Sequence, residues 1–335
     1  MGEQHLTYFK VENFKRFDSF EMDDIGQFNL LVGDNNVGKT SVLEALLSNK
    51  DFMVFHTNLD YVLNKVKNFT ALKFGVYVLD SYVKDKTEGY YLKFVHKYHD
   101  RKPINMVFER SEDKINYRYT VSGLPSDGRK YVIDHFVKGN KYEGLQLYIP
   151  FIPFGISYDH DFTTYYSSFI QLNNNRKKKL INGLRMLSPN VQNIEVNTFY
   201  SDYPVLLVSE SNRDSVLPLA FYGDGFLKLF RLLMAIVVNA GKRLMIDEID
   251  TGIHYSRAKE FWKVLIETAK ENDVQLFATT HNKECMQYFG EALAETNMQQ
   301  EGRIIRLAEV KSGVKAFTMR YEEFEHSLQI ESEIR

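Results

Sequence analysis

Four short groups of residues have the types and spacing for phosphate chemistry. Gly33-Asp34-Asn35-Asn36-Val37-Gly38-Lys39-Thr40-Ser41 reads G-x-x-x-x-G-K-T. A loop of this pattern offers backbone N–H groups and the positive end of a helix to an anion. Lys39 is expected to reach the β- and γ-phosphates of a nucleotide and Thr40 to hold Mg2+ through its hydroxyl. Asn35, Asn36, Gly38 and Ser41 complete the nucleotide-binding loop. Leu244-Met245-Ile246-Asp247-Glu248 is an apolar run that ends in two carboxylates. Asp247 would support Mg2+, usually through water. Glu248 would orient and polarise a water beside the γ-phosphate. Tyr222-Gly223-Asp224-Gly225 sets two glycines before a long apolar stretch, a second place for an anion at a helix N-terminus. Val274-Gln275-Leu276-Phe277-Ala278-Thr279-Thr280-His281 is a further buried run, ending in polar residues and a histidine.

The elements needed to hold these groups are legible around them. Phe28–Val32 is short and apolar, a buried strand entering the phosphate loop, and Ser41–Leu47 has apolar residues at helical spacing. Phe226 to about Asn239 repeats apolar residues with helical period, and Tyr255–Glu271 is an amphipathic helix between two apolar strands. In an open parallel sheet, ligands bind at the carboxyl ends of the strands, where these polar residues fall. Upstream, Leu6–Val11 and Phe17–Met22 read as a hairpin turning at Glu12-Asn13. Ile104–Glu109 and Ile115–Val121 read as antiparallel strands, with a helical piece near 58–66. Residues 162–188 read as helices stopped by Ser188-Pro189-Asn190, and strands resume at Ile194–Thr198 and Pro204–Val208. The fold class expected is α/β: a P-loop nucleotide-binding core with a mixed, largely parallel central sheet, an antiparallel β elaboration and an inserted helical region. The divisions expected are 1–49 for the first part of the core, 50–150 for the elaboration, 151–215 for the helical lobe and strands, and 216–335 for the second part of the core.

The order of motifs resembles the ABC-type ATPase heads of the SMC/RecF/OLD group. It rests on Phe9-Lys10-Val11-Glu12-Asn13-Phe14-Lys15 before the phosphate loop, with Lys15 where the group usually has Arg, and on the four groups above. More narrowly, Gly223–Gly225, Ile246–Ile249, Gly252-Ile253-His254-Tyr255-Ser256 and Ala278–His281 resemble short bacterial "AAA family" ATPases that lack a nuclease. The resemblance implies ATP as substrate, Mg2+ as cofactor, Glu248 and His281 as catalytic residues, and two heads that sandwich ATP. Gly223, Asp224 and Gly225 would then act on the partner's nucleotide, and Asp250 would lie at the contact between heads. Tyr222 stands where the signature usually has Ser, so the contact in trans would rest on backbone N–H groups. Gln171 is the nearest candidate for a Mg2+-sensing glutamine.

The whole chain limits what the cycle could serve. It has 335 residues, a net charge of −2 and one cysteine, Cys285, which fits a cytoplasmic protein without disulfides. No run is long enough to span a membrane, the polar start Met1–His5 is not a signal peptide, and no long coiled coil is present. About 50 residues follow His281, fewer than an appended nuclease domain needs, roughly 100. The expectation is an ATPase that assembles with itself on ATP and controls a separate effector, such as a nuclease or toxin, in bacterial antiviral defence. A RecF-like DNA-binding role is the alternative. Its support is Asn173-Asn174-Asn175-Arg176-Lys177-Lys178-Lys179, although such a charge run is usually a solvated helix face. A nucleotide-dependent scaffold with slow turnover is the third reading.

Overall fold

The computed structural model describes residues 5–62, 67, 82–84, 91–99, 101–110, 117–123, 150–153, 161–198 and 204–329. The first part runs β1 (Leu6–Phe14), β2 (Phe17–Met22), β3 (Phe28–Val32), α1 (Lys39–Ala45) and α2 (Phe52–Tyr61). There follow β4 (Tyr91–Tyr98), β5 (Ile104–Arg110), β6 (Tyr117–Ser122) and β7 (Phe151–Ile152). Next are α3 (Asp161–Tyr165), a π-helical turn at Tyr166–Gln171, α4 (Asn174–Leu187), β8 (Val191–Asn197), β9 (Val205–Glu210) and β10 (Leu217–Pro218). The last part is α5 (Asp224–Val238), β11 (Arg243–Ile246), α6 (Tyr255–Glu271), β12 (Gln275–Thr279), α7 (Lys283–Glu295), β13 (Gly302–Val310), β14 (Gly313–Arg320) and α8 (Tyr321–Gln329).

Strands covered on both faces need continuous apolar runs, and every residue of β3 and of β12 is buried. They form the middle of a six-stranded sheet ordered β14-β13-β3-β12-β11-β7, parallel throughout except for β14. Because side chains alternate along a strand, each strand feeds two cores. Leu30, Leu244, Ile246, Leu276, Ala278 and Ile304 point to one face, where α5, α6 and α7 pack with Phe230, Leu233, Trp262 and Phe289. Leu31, Met245, Phe277 and Ile305 point to the other, toward α1, α2 and a five-stranded antiparallel sheet ordered β2-β1-β4-β5-β6. An aromatic cluster closes that second core, with Phe55 5.3 Å from Phe94 and 5.0 Å from Phe108 between ring centroids. The three-stranded β10-β9-β8 sheet is separate.

Several elements depart from the expected bounds. The first hairpin turns at Lys15-Arg16, not at Glu12-Asn13. Phe14 pairs with Phe17, both are buried, and Asn13 and Lys15 take positive φ (58° and 50°). Burial of the phenylalanine pair outweighs the turn preference of Asn13. The helix read near 58–66 is α2, which begins at Phe52; residues 63–66 lie outside those described. Strand β6 begins at Tyr117, and Ile115 and Asn116 also lie outside. Strands β4, β7, β10, β13 and β14 and helices α7 and α8 were not expected.

Candidate functional site

The phosphate loop is shaped by two glycines that no other residue replaces. Gly33 has φ 141° and leaves β3 so close to β13 that a Cβ would stand 2.4 Å from the Leu307 carbonyl oxygen. Gly38, at the N-cap of α1, has φ 108°, and a Cβ there would meet Arg16 Cδ and Phe17 Cζ at 2.9 Å. The tip of the β1–β2 hairpin therefore lies against the loop. Asn35 and Asn36 are exposed on it, Asn36 with φ 66°, and Ser41 is half-buried on α1. Lys39 is buried, and its ammonium donates to the Gly33 and Asp34 carbonyl oxygens at 2.7 and 2.9 Å. Burial draws its pKa down, against the pull of the Glu248, Asp247 and Asp34 carboxylates that face it.

Asp247 and Glu248 follow β11 directly. The Asp247 carboxylate accepts the Thr40 hydroxyl at 3.1 and 3.0 Å and the Thr279 hydroxyl at 2.7 Å. The same Thr279 oxygen accepts the Glu248 backbone N–H at 2.8 Å. Glu248 has φ 45°, a left-handed conformation that costs a non-glycine residue about 1–3 kcal/mol. That cost is offset by its anchors: Thr279 holds its N–H, and the Lys228 ammonium donates to its carbonyl at 3.2 Å and to the Thr251 carbonyl at 2.6 Å. Burial draws Lys228 down to about 8. Thr280 donates to Asp250 at 2.8 Å, and His281 is exposed next to it.

The signature turn Gly223-Asp224-Gly225 caps α5. Gly223 and Asp224 are exposed, a Cβ at Gly223 would meet nothing within 4 Å, and the nearest atom to a Cβ at Gly225 would be the Gly252 carbonyl oxygen at 3.7 Å. Tyr222, just before α5, stacks on Phe226 of that helix with ring centroids 4.5 Å apart. Phe221, before it, is 77% exposed.

Phosphate-loop residues, both acidic residues and Thr279 of β12 thus meet at the carboxyl ends of β3, β11 and β12. Lys15 is paired beside this centre, within reach of the Asp247 charge. It forms an ion pair with Glu44, whose carboxylate is fully buried and also paired with Lys67. The neighbouring Arg16 is the hairpin cation against the phosphate loop. Gln171 is exposed at the end of the π-helical turn. Two members of the basic run serve the fold itself: Arg176 donates to the Phe169 carbonyl at 3.1 Å, and Lys179 to Asn272 at 2.8 Å. Sequence reading missed Thr279, Lys228 and Arg16. Hydroxyls at the end of a buried strand were the available signal for Thr279.

No group of three or more His, Cys, Asp or Glu side chains that could hold a metal occurs among the described residues. Mg2+ does not require one, since it takes one or two protein oxygens and completes its shell with phosphate and water. A hydroxyl and a carboxylate already in contact beside the phosphate loop fit that requirement.

Residues 5–151 match the family described as "AAA ATPase domain", and residues 135–286 match "AAA domain, putative AbiEii toxin, Type IV TA system". An "ATP/GTP phosphatase" of Helicobacter pylori (strain ATCC 700392 / 26695) is 22% identical over 340 residues, covering 89% of this chain and 91% of that protein. The SMC head domain from Thermotoga maritima superposes with a TM-score of 0.52 at 14% identity, covering 94% of this chain and 99% of that one. The Smc head with an extended coiled coil, bound to the C-terminal domain of ScpA derived from Pyrococcus furiosus, gives 0.55 at 13% identity, covering 97% and 99%. Two AAA-type ATPase domain models thus match between them residues 5–286, and the chain has the fold of the SMC heads.

Proposed function

We propose that the chain hydrolyses ATP at the site built by Lys39, Thr40, Asp247 and Glu248, and that hydrolysis governs an assembly of two heads. The observation that carries this reading is Glu248, held in a left-handed conformation beside the Asp247–Thr40 contact. Lys39 exchanges its carbonyl partners for the β- and γ-phosphate oxygens. Thr40 and Asp247 would hold Mg2+, which when bound offsets charge on those oxygens. Glu248 accepts a hydrogen bond from water and directs its oxygen at the γ-phosphorus. The new P–O bond forms as the bond to the β–γ bridging oxygen breaks, giving ADP and phosphate. His281, exposed at the end of β12, is assigned to the γ-phosphate side of the site.

The exposed signature turn faces outward and supports a role in trans: its backbone N–H groups would meet the partner's γ-phosphate. ATP binding would then favour the paired heads, and loss of phosphate would release them. The AbiEii description of the matched family supports a setting in which the assembly controls a toxin-type effector in bacterial defence. The test is phosphate release from Mg-ATP by wild type and Glu248→Gln, with the mass of the latter in solution with and without Mg-ATP. We expect hydrolysis to fall at least 100-fold, and the mass to double on ATP. Equal hydrolysis refutes the role of Glu248, and a constant monomer refutes the sandwich.

A further inference from the structure

A cavity lies at the amino end of β11, opposite the end that leads to Asp247. It encloses about 360 Å³, within the size range of small-molecule sites, roughly 300–1,000 Å³. Four cations line it: Lys50, Arg101, Lys242 and Arg243. No carboxylate stands among its described lining residues, in a chain whose net charge is −2. Neither Lys50, Lys242 nor Arg243 forms an ion pair with a described carboxylate.

The arginine is set in place from behind. Arg243 donates to the Ser48 carbonyl at 2.9 Å, and its other terminal nitrogen lies 3.4 Å from Nδ1 of His96. His96 is buried, and its Nε2 lies 2.9 Å from the buried Ser48 hydroxyl. Beside a guanidinium, Nδ1 must accept, so Nε2 carries the proton and donates to Ser48. Two of the five guanidinium N–H donors are used in this way, and three are left. Tying the segment after α1 to the start of β11 explains Arg243 by itself. It does not explain why Lys50 and Lys242 flank the same space. Val54, Ile104 and Met245 give the cavity an apolar wall.

We propose that this cavity binds a small organic phosphate, its phosphate on the cations and its body against the apolar wall. The site is separate from the phosphate loop, yet two elements run between them. Helix α1 starts at Lys39 and leads to Leu46 and Leu47 on the cavity wall, and β11 starts at Arg243 and leads to Asp247. A ligand there is therefore placed to sense or bias the nucleotide site.

The test is calorimetric titration of the full chain with inorganic pyrophosphate. Lys39→Ala disables the phosphate loop, so binding that remains belongs elsewhere. We expect one pyrophosphate per chain in Lys39→Ala, and an affinity at least tenfold weaker when Lys50→Glu and Lys242→Glu are added. Both lysines are exposed, so these changes leave the core intact. No binding in Lys39→Ala, or binding unaffected by the added charge reversals, overturns the proposal. A 5′-phosphorylated DNA 12-mer that binds through the same lysines at least tenfold more tightly than pyrophosphate overturns the small-molecule reading.

Discussion

Replacing Thr279 by valine removes one hydroxyl and almost no volume, and the structure sets what that should cost. The hydroxyl donates to Asp247 at 2.7 Å and accepts the N–H of Glu248 at 2.8 Å. A hydrogen bond to a charged group contributes about 1.5–3 kcal/mol, and an N–H left without a partner costs about 1–3 kcal/mol. Asp247 and Glu248 are half-buried, so water recovers part of the loss, and we expect a net destabilisation of ~2–4 kcal/mol. Turnover should suffer as well. If the lost anchor accounts for ~2 kcal/mol of holding Glu248 in its left-handed conformation, the competent conformer falls about 30-fold. The assays are urea unfolding at constant m-value and steady-state phosphate release. ATP affinity should stay within about threefold, because the Lys39 loop is untouched, and Thr279→Ser should restore kcat. Stability within 0.5 kcal/mol of wild type together with kcat within twofold would refute the reasoning.

Three further outcomes follow from single residues. Gly38→Ala should lose ATP binding, measured with a fluorescent ATP analogue, because its φ of 108° and the 2.9 Å approach to Phe17 leave no place for a methyl group. Lys228 titrates near 8 in the fold and near its ordinary 10.5 when unfolded. Over that range the unfolded chain binds more protons, so wild type should gain stability relative to Lys228→Met as pH rises from 8 to 10.5, read by urea unfolding. Burial holds the Cys285 thiol up to about 12, so at pH 8 only about one in ten thousand is thiolate. A thiol reagent should label the folded chain at a small fraction of the rate seen in urea.

How much could be read in advance depended on how local each signal was. Helix α6 occupies the expected Tyr255–Glu271, because its period and its polar N-cap are neighbours in sequence. The phosphate loop and the ends of β11 and β12 are equally local. Strand β7 has two residues, too few to carry a pattern, and it is defined by pairing with β11. The β1–β4 pairing joins Leu6 to Tyr98, a register that no local window contains. At the site, the polar ends of the strands were visible, but their bonding was not. Thr279 read as a strand terminus and Lys228 as a helix residue. Only the folded sheet brings their polar atoms to Glu248. Lys15 was legible as a cation near the loop, yet burial of Glu44 takes it inward.

The most direct test of hydrolysis at this site is the fate of nucleotide already bound. Radiolabelled ATP is mixed with excess enzyme and Mg2+, then quenched after several minutes, and the bound nucleotide is separated. We expect ADP from wild type, intact ATP from Glu248→Gln, and no bound nucleotide from Lys39→Ala. ADP recovered from Glu248→Gln at the wild-type rate would contradict the assignment of the site.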